Sequence, residues 1–148
     1  MRIHEAAATG DVEEVKRILD EFPGYVNVRD NNGETPLFVA VDHYQVDMVR
    51  FLLENGADPD ARSKEGALQE TTVPGGWTPL EWAAIKSSDQ AKSGAIAELL
   101  IAAGADINDV GNDMGWPPVF VAIHEGNKVV ERILREHGAQ WDRDEASR

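Results

Sequence analysis

The chain has 148 residues, no cysteine, and 27 acidic against 14 basic side chains, a net charge of −13. That length suits one domain, and the missing cysteines exclude disulfides, thiolate metal sites and thiolate nucleophiles. The charge opposes nucleic acid and anionic membranes as partners and favours a basic protein surface, although acidic residues also keep an extended surface dispersed. With no apolar run of membrane-spanning length and no apolar stretch after Met1-Arg2-Ile3-His4-Glu5, a cytoplasmic protein is expected.

In chain order, the first unit opens at His4-Glu5-Ala6-Ala7-Ala8-Thr9-Gly10, and a second helix follows with Val12, Val15, Ile18 and Leu19 at helical spacing. The next unit enters at Thr35-Pro36-Leu37, continues through Val46, Val49, Leu52 and Leu53, and stops at Gly56-Ala57-Asp58. The third enters at Thr78-Pro79-Leu80 and stops at Gly104-Ala105-Asp106; the fourth runs from Pro117-Pro118-Val119 to Gly138-Ala139-Gln140. The prolines suit a first helical turn, where the missing N–H costs nothing, and Thr35 and Thr78 are N-cap candidates. Ala6, Ala7, Ala40, Ala83, Ala84 and Ala122 let the first helices approach closely. One such unit cannot bury its apolar face alone, whereas four stacked units can.

From proline to glycine the second and fourth units span 20 residues, and the third spans 25. The five-residue excess is expected near Ser87 to Gln90, at the turn between two helices. A longer insertion, about Lys64 to Gly75, lies in the connection before the third unit; it is polar and has too few apolar residues for its own core. A loop of that kind is either functional or a tolerated decoration, and deleting Glu65 to Pro74 should leave the fold intact.

Asp30-Asn31-Asn32-Gly33-Glu34-Thr35-Pro36-Leu37-Phe38-Val39-Ala40, with the Gly-Ala-Asp exits, resembles the ankyrin repeat, with Phe38 where a histidine is usual. The resemblance implies an all-α, ankyrin-type helix-turn-helix solenoid with short β-turn fingers. It divides the chain into repeats at about 1–29, 30–62, 63–109 with insertions, and 110–143, followed by a polar tail, 144–148. It also assigns His4 to bracing a turn.

The family's geometry implies a concave groove formed by finger tips and the inner ends of the first helices. Trp77 and Trp116 occupy equivalent places after Gly76 and Gly115, and as partly exposed indoles they would anchor a partner. An aromatic there can instead pack against the neighbouring finger. Trp82 joins the same groove, while Trp141 covers the last unit. The groove would also present Asn31, Asn32, Glu34, Asp42, His43, Ile85, Lys86, Asp113, Met114, His124 and Glu125, with acids outnumbering the single lysine.

Catalytic and metal constellations are not found. The four histidines have no metal-binding spacing, and Asp106 to Pro117 fails as a calcium loop because Val110 and Pro117 stand where oxygen ligands are needed. The expected protein is a non-enzymatic, cofactor-free monomer that binds a basic protein partner through its concave face, in the manner of an inhibitor or immunity-type protein. A passive assembly or architectural subunit using the solenoid edge is the alternative.

Overall fold

The computed structural model describes residues 3–64 and 75–141. Most of the insertion, 65–74, and the polar tail therefore lie outside the described residues. Among those described the chain forms no strand and eight α-helices in four pairs. They are α1 (Ile3–Thr9) and α2 (Val12–Glu21), α3 (Pro36–Asp42) and α4 (Val46–Glu54), α5 (Pro79–Ile85) and α6 (Gln90–Ala102), and α7 (Pro118–Glu125) and α8 (Lys128–Glu136). A short 3₁₀ turn, Pro23–Asn27, follows the first pair.

The first helices α1, α3, α5 and α7 pack side by side in one row, and α2, α4, α6 and α8 form the second. The alanines Ala6, Ala7, Ala40, Ala83, Ala84 and Ala122 are all 0% exposed between the short helices. Leu37, Met48, Leu52, Leu80, Ile96, Leu100 and Leu134 fill the space between the rows. Each such side chain contributes about 1.5–3 kcal/mol on burial, so stacking supplies what no isolated pair of short helices can.

The entries follow their sequence chemistry. Thr35 Oγ1 accepts the Phe38 N–H at 3.2 Å, and Thr78 forms a reciprocal capping box with Glu81. His4 Nε2 lies 2.9 Å from the carbonyls of Val28 and Glu34, so it braces the first finger, as the family resemblance implies. Within that finger the Asp30 carboxylate accepts the N–H groups of Asn32 and Glu34. Neighbouring repeats are laced by side chains: Asn27 bonds Gly56 and Asp58, and Asp60 accepts the Asp106 N–H.

The third pair departs from the expected placement of its five extra residues. The linker between its helices is only slightly longer than the others, and α6 itself has 13 residues against nine in α4 and α8. The excess is helical because Asp89 supplies an N-cap, accepting the Lys92 N–H at 3.1 Å. Gly94 then admits α8: a Cβ there would stand 2.6 Å from Val129 Cγ1. Gln90 ties the added turn to Gly126 and Val129.

Candidate functional site

Two side-chain groups form at the inner ends of the first helices. One centres on Asp42, the last residue of α3. Its Oδ1 accepts the Trp82 Nε1–H at 3.0 Å and lies 3.5 Å from Lys86 Nζ, while Oδ2 is 3.7 Å from His43 Nε2. The Lys86 ammonium also sits 5.1 Å from the centroid of the Tyr44 ring, within cation–π range. Trp82 leans on Phe38 with 5.2 Å between ring centroids. Glu34 adds a second acid: burial, then the neighbouring charges of Asp30 and Asp42, push its carboxyl above the usual range.

The second group belongs to α7. Trp116 is half-buried, with its ring 4.7 Å from His124 and 4.8 Å from Phe120; Phe120 in turn lies 5.2 Å from Trp141. Trp141 thus packs on the last repeat, as expected. His124 is exposed, with Nδ1 3.4 Å from the Glu125 carboxylate. Asn31, Asn32, Asp113 and Met114 are exposed on the fingers. Asp113 is bonded to Gly75 through both its N–H and its carboxylate, which joins the third finger to the base of the second.

Trp77 requires a correction. It is 7% exposed and belongs to the core, so it is not an exposed groove anchor. The cause is local pairing: the Ser63 N–H donates to the Trp77 carbonyl at 2.7 Å, and Ser63 Oγ accepts the Trp77 N–H at 3.0 Å. This pairing closes the finger just beyond the insertion and sets Trp77 inward. Trp116 lacks that arrangement; its N–H goes to the Asn112 side chain within its own finger.

Beneath the fingers lies a polar knot that the sequence reading missed. Glu81 is 0% exposed. Its carboxylate accepts the Thr78 N–H at 2.8 Å and the Asn112 Nδ2–H at 2.9 Å, and shares a hydrogen bond with Asp109. Arg62 grips Asp109 with both terminal nitrogens and donates to the Gly76 carbonyl. Burial, partly offset by the Thr78 hydrogen bond, pushes Glu81 up to about 8, so the carboxyl holds its proton at neutral pH. For Asp109 burial pulls upward, but the hydrogen bonds from Arg62 and Glu81 win and hold it below the usual range. A knot with this many internal partners holds three repeats in register.

Tyr44 and Phe120 are the other residues that sequence reasoning overlooked. Tyr44 has φ +56° at the place where Gly10 and Gly126 have φ +77° and +71°. A bulky residue in the left-handed region is strained, and the alignment with two glycines was the available signal. Phe120 follows Pro118-Val119 where Phe38 follows Pro36-Leu37, so it was visible as a repeat-equivalent aromatic.

Residues 3–63 match the family model described as ankyrin repeats (3 copies), and 75–112 match the model described as ankyrin repeat. The "Probable 26S proteasome regulatory subunit p28" of Saccharomyces cerevisiae is 30% identical over 141 residues, 94% of this chain and 55% of that protein. The "DNA-binding protein RFXANK" of Homo sapiens is 39% identical over 77 residues, covering 51% of this chain and 30% of that protein. "Protein phosphatase 1 regulatory subunit 27" of Mus musculus is 38% identical over 71 residues, 48% of this chain and 46% of that protein. The chain therefore spans between 30% and 55% of the length of these relatives.

Proposed function

The chain belongs to the ankyrin repeat family, and from that premise we propose that this protein-interaction module engages a basic partner through its concave face. The observation that carries the reading is the seat around Asp42. A lysine already occupies it, held between a carboxylate and an aromatic ring, with an indole N–H fixing the carboxylate's direction. Chemistry that holds Lys86 would hold a partner's lysine or arginine in the same way. The strained Tyr44 supports this, since backbone strain concentrates where a side chain must point in one direction.

Around that seat, Asn31, Asn32, Glu34, His43, Asp113, Met114, Trp116, His124 and Glu125 supply the remaining contact surface, with Trp116 and Trp82 as apolar anchors. Glu34, Asp42, Asp113 and Glu125 outweigh Lys86 in charge, which favours fast association with a basic surface. A small acidic module with this surface suits an inhibitor or immunity-type role, covering a basic effector's active site.

A photo-crosslinking residue placed at His43 captures the partner for identification. Its dissociation constant is then expected to rise at least tenfold with Asp42→Asn and to fall with Lys86→Ala, which removes the internal competitor. An acidic partner would give the reverse pattern and overturn the reading. A second reading, an assembly subunit, is favoured by the similarity to p28 over 94% of this chain, since that relative is named as a proteasome regulatory subunit. It predicts capture from Glu98, exposed on the outer row of helices, and none from His43.

A further inference from the structure

The outward surfaces of the first and last repeats differ. On α8 the outward surface carries Lys128, Glu131, Arg132, Arg135 and Glu136, and both acids are paired there, Glu131 with Arg135 at 3.1 Å and Glu136 with Arg132 at 3.7 Å. The first repeat has instead a hollow of about 640 Å³. Ile3 and Ile18 form its buried floor, and Phe22, Tyr25 and Val28 line it while remaining 46%, 45% and 37% exposed. The rings of Phe22 and Tyr25 stack 4.9 Å apart at 16°. A stacked aromatic pair left in water beside a concavity is the usual mark of a binding surface.

The charges around the hollow select the occupant. Arg17 is taken up by Glu14, at 2.6 Å, and Arg29 donates to the carbonyls of Gly33 and Arg62. Glu5 and Glu21 are exposed at the rim and, among the described residues, carry no salt bridge. Asp30 also lines the hollow, so three acids stand against two arginines; with Arg17 paired to Glu14 and Arg29 still charged, the rim over the apolar floor leans anionic. A second copy is a poor match. Head to head, it would set Glu5 and Glu21 against their own images, and head to tail it would press the aromatics onto the ion-paired surface of α8.

We propose that this hollow is a second docking site, distinct in its residues from the Asp42 seat, which receives a short segment of another protein carrying an apolar side chain flanked by lysine or arginine. The apolar side chain enters between Phe22, Tyr25 and Ile18, and the flanking cations meet Glu5 and Glu21. The hollow shares Asn31 and Asn32 with the concave-face surface, but the docking of the apolar side chain and its flanking cations uses neither, so either reading can fail without the other.

The test is an NMR titration of the whole chain with two blocked pentapeptides, lysine-leucine-phenylalanine-leucine-lysine and the same peptide with glutamates replacing the lysines. Saturable amide shifts confined to the first repeat are expected, with half-saturation at a concentration at least tenfold lower for the lysine peptide. Phe22→Ser should remove the response. Glu21→Lys, which leaves the floor intact, should erase the preference between peptides even if Phe22→Ser proves unfolded. Equal response to both peptides, no saturable shift in the first repeat, or shifts centred on Asp42 and Trp82 instead would overturn the proposal. So would a sedimentation coefficient that rises with protein concentration and stops rising in Phe22→Ser, because a second copy would then be the occupant.

Discussion

Two carboxylate centres in this molecule are built from similar residues and stand in opposite surroundings. At the Glu81 centre the side chain is 0% exposed, and backbone, amide, arginine and second carboxylate all have partners. At the Asp42 centre the side chain is 36% exposed and holds one indole N–H firmly and one lysine loosely. Residue type alone does not separate an acid that is fully satisfied within the fold from one that can take a ligand. The number of partners already satisfied does: the first centre has nothing left to offer a ligand, and the second is a part-exposed carboxylate with only loose ionic contacts to His43 and Lys86.

Truncation separates the two centres most widely. Glu81→Ala strands the Thr78 N–H, the Asn112 amide and one side of Asp109 in a buried interface, and a loss of about 3–4 kcal/mol is expected from chemical denaturation. Asp42→Ala should cost less than about 1 kcal/mol by the same measurement, because the exposed carboxylate's partners regain water. Equal losses would show that the two centres are not different in kind.

A pH titration of stability sharpens the same contrast. The unfolded chain releases the Glu81 proton near its ordinary value of 4.5, whereas the folded chain keeps it to about 8. Between those values the folded state binds more protons, so stability falls as pH rises, by up to about 1.4 kcal/mol per pH unit, and levels off above about 8. Asp109 acts in the opposite sense and in another window, losing stability only as pH drops below its ordinary 3.8. Glu81→Gln should flatten the slope on the alkaline side of 4.5, as read from melting temperatures across that range. Glu34, also raised, adds a lesser slope of the same sign, so an undiminished slope in Glu81→Gln would place the main titrating group elsewhere.

Smaller again is the effect of relieving strain at the exposed centre. Tyr44→Gly should leave stability unchanged or raise it by up to about 1 kcal/mol, since glycine accepts the left-handed backbone freely, while weakening the captured partner's binding several-fold. A clear loss of stability would mean that Tyr44 is packed for structure and not placed for recognition.

Much of the fold was legible because it is written locally. Thr35-Pro36 and Thr78-Pro79 announce helix starts, the Gly-Ala pairs announce stops, and His4 announces a braced turn; each works over a few residues. What escaped depends on distant neighbours. Trp77 and Trp116 are equivalent by spacing, yet Ser63 pairs the first of them inward across the insertion. The extra residues of the third unit looked like a loop, and became helix because Asp89 caps it and Gly94 makes room for Val129. Within the candidate site, Asp42, His43, Lys86 and Trp82 do come together. The Glu81 knot was hidden because Arg62 and Asn112 reach it from two other repeats and Asp109 from the far end of its own, although a glutamate in the place of the bracing histidine was a hint.

Steering of a basic partner onto the concave face by the exposed acids is read from the association rate of the captured partner as salt is raised from about 50 to 300 mM. The wild-type rate should fall at least tenfold while dissociation changes little, and replacing Glu34, Asp42, Asp113 and Glu125 by their amides should give a slow rate that salt hardly alters. A wild-type association rate indifferent to salt, and unchanged by those four substitutions, would show that charge does not choose the partner.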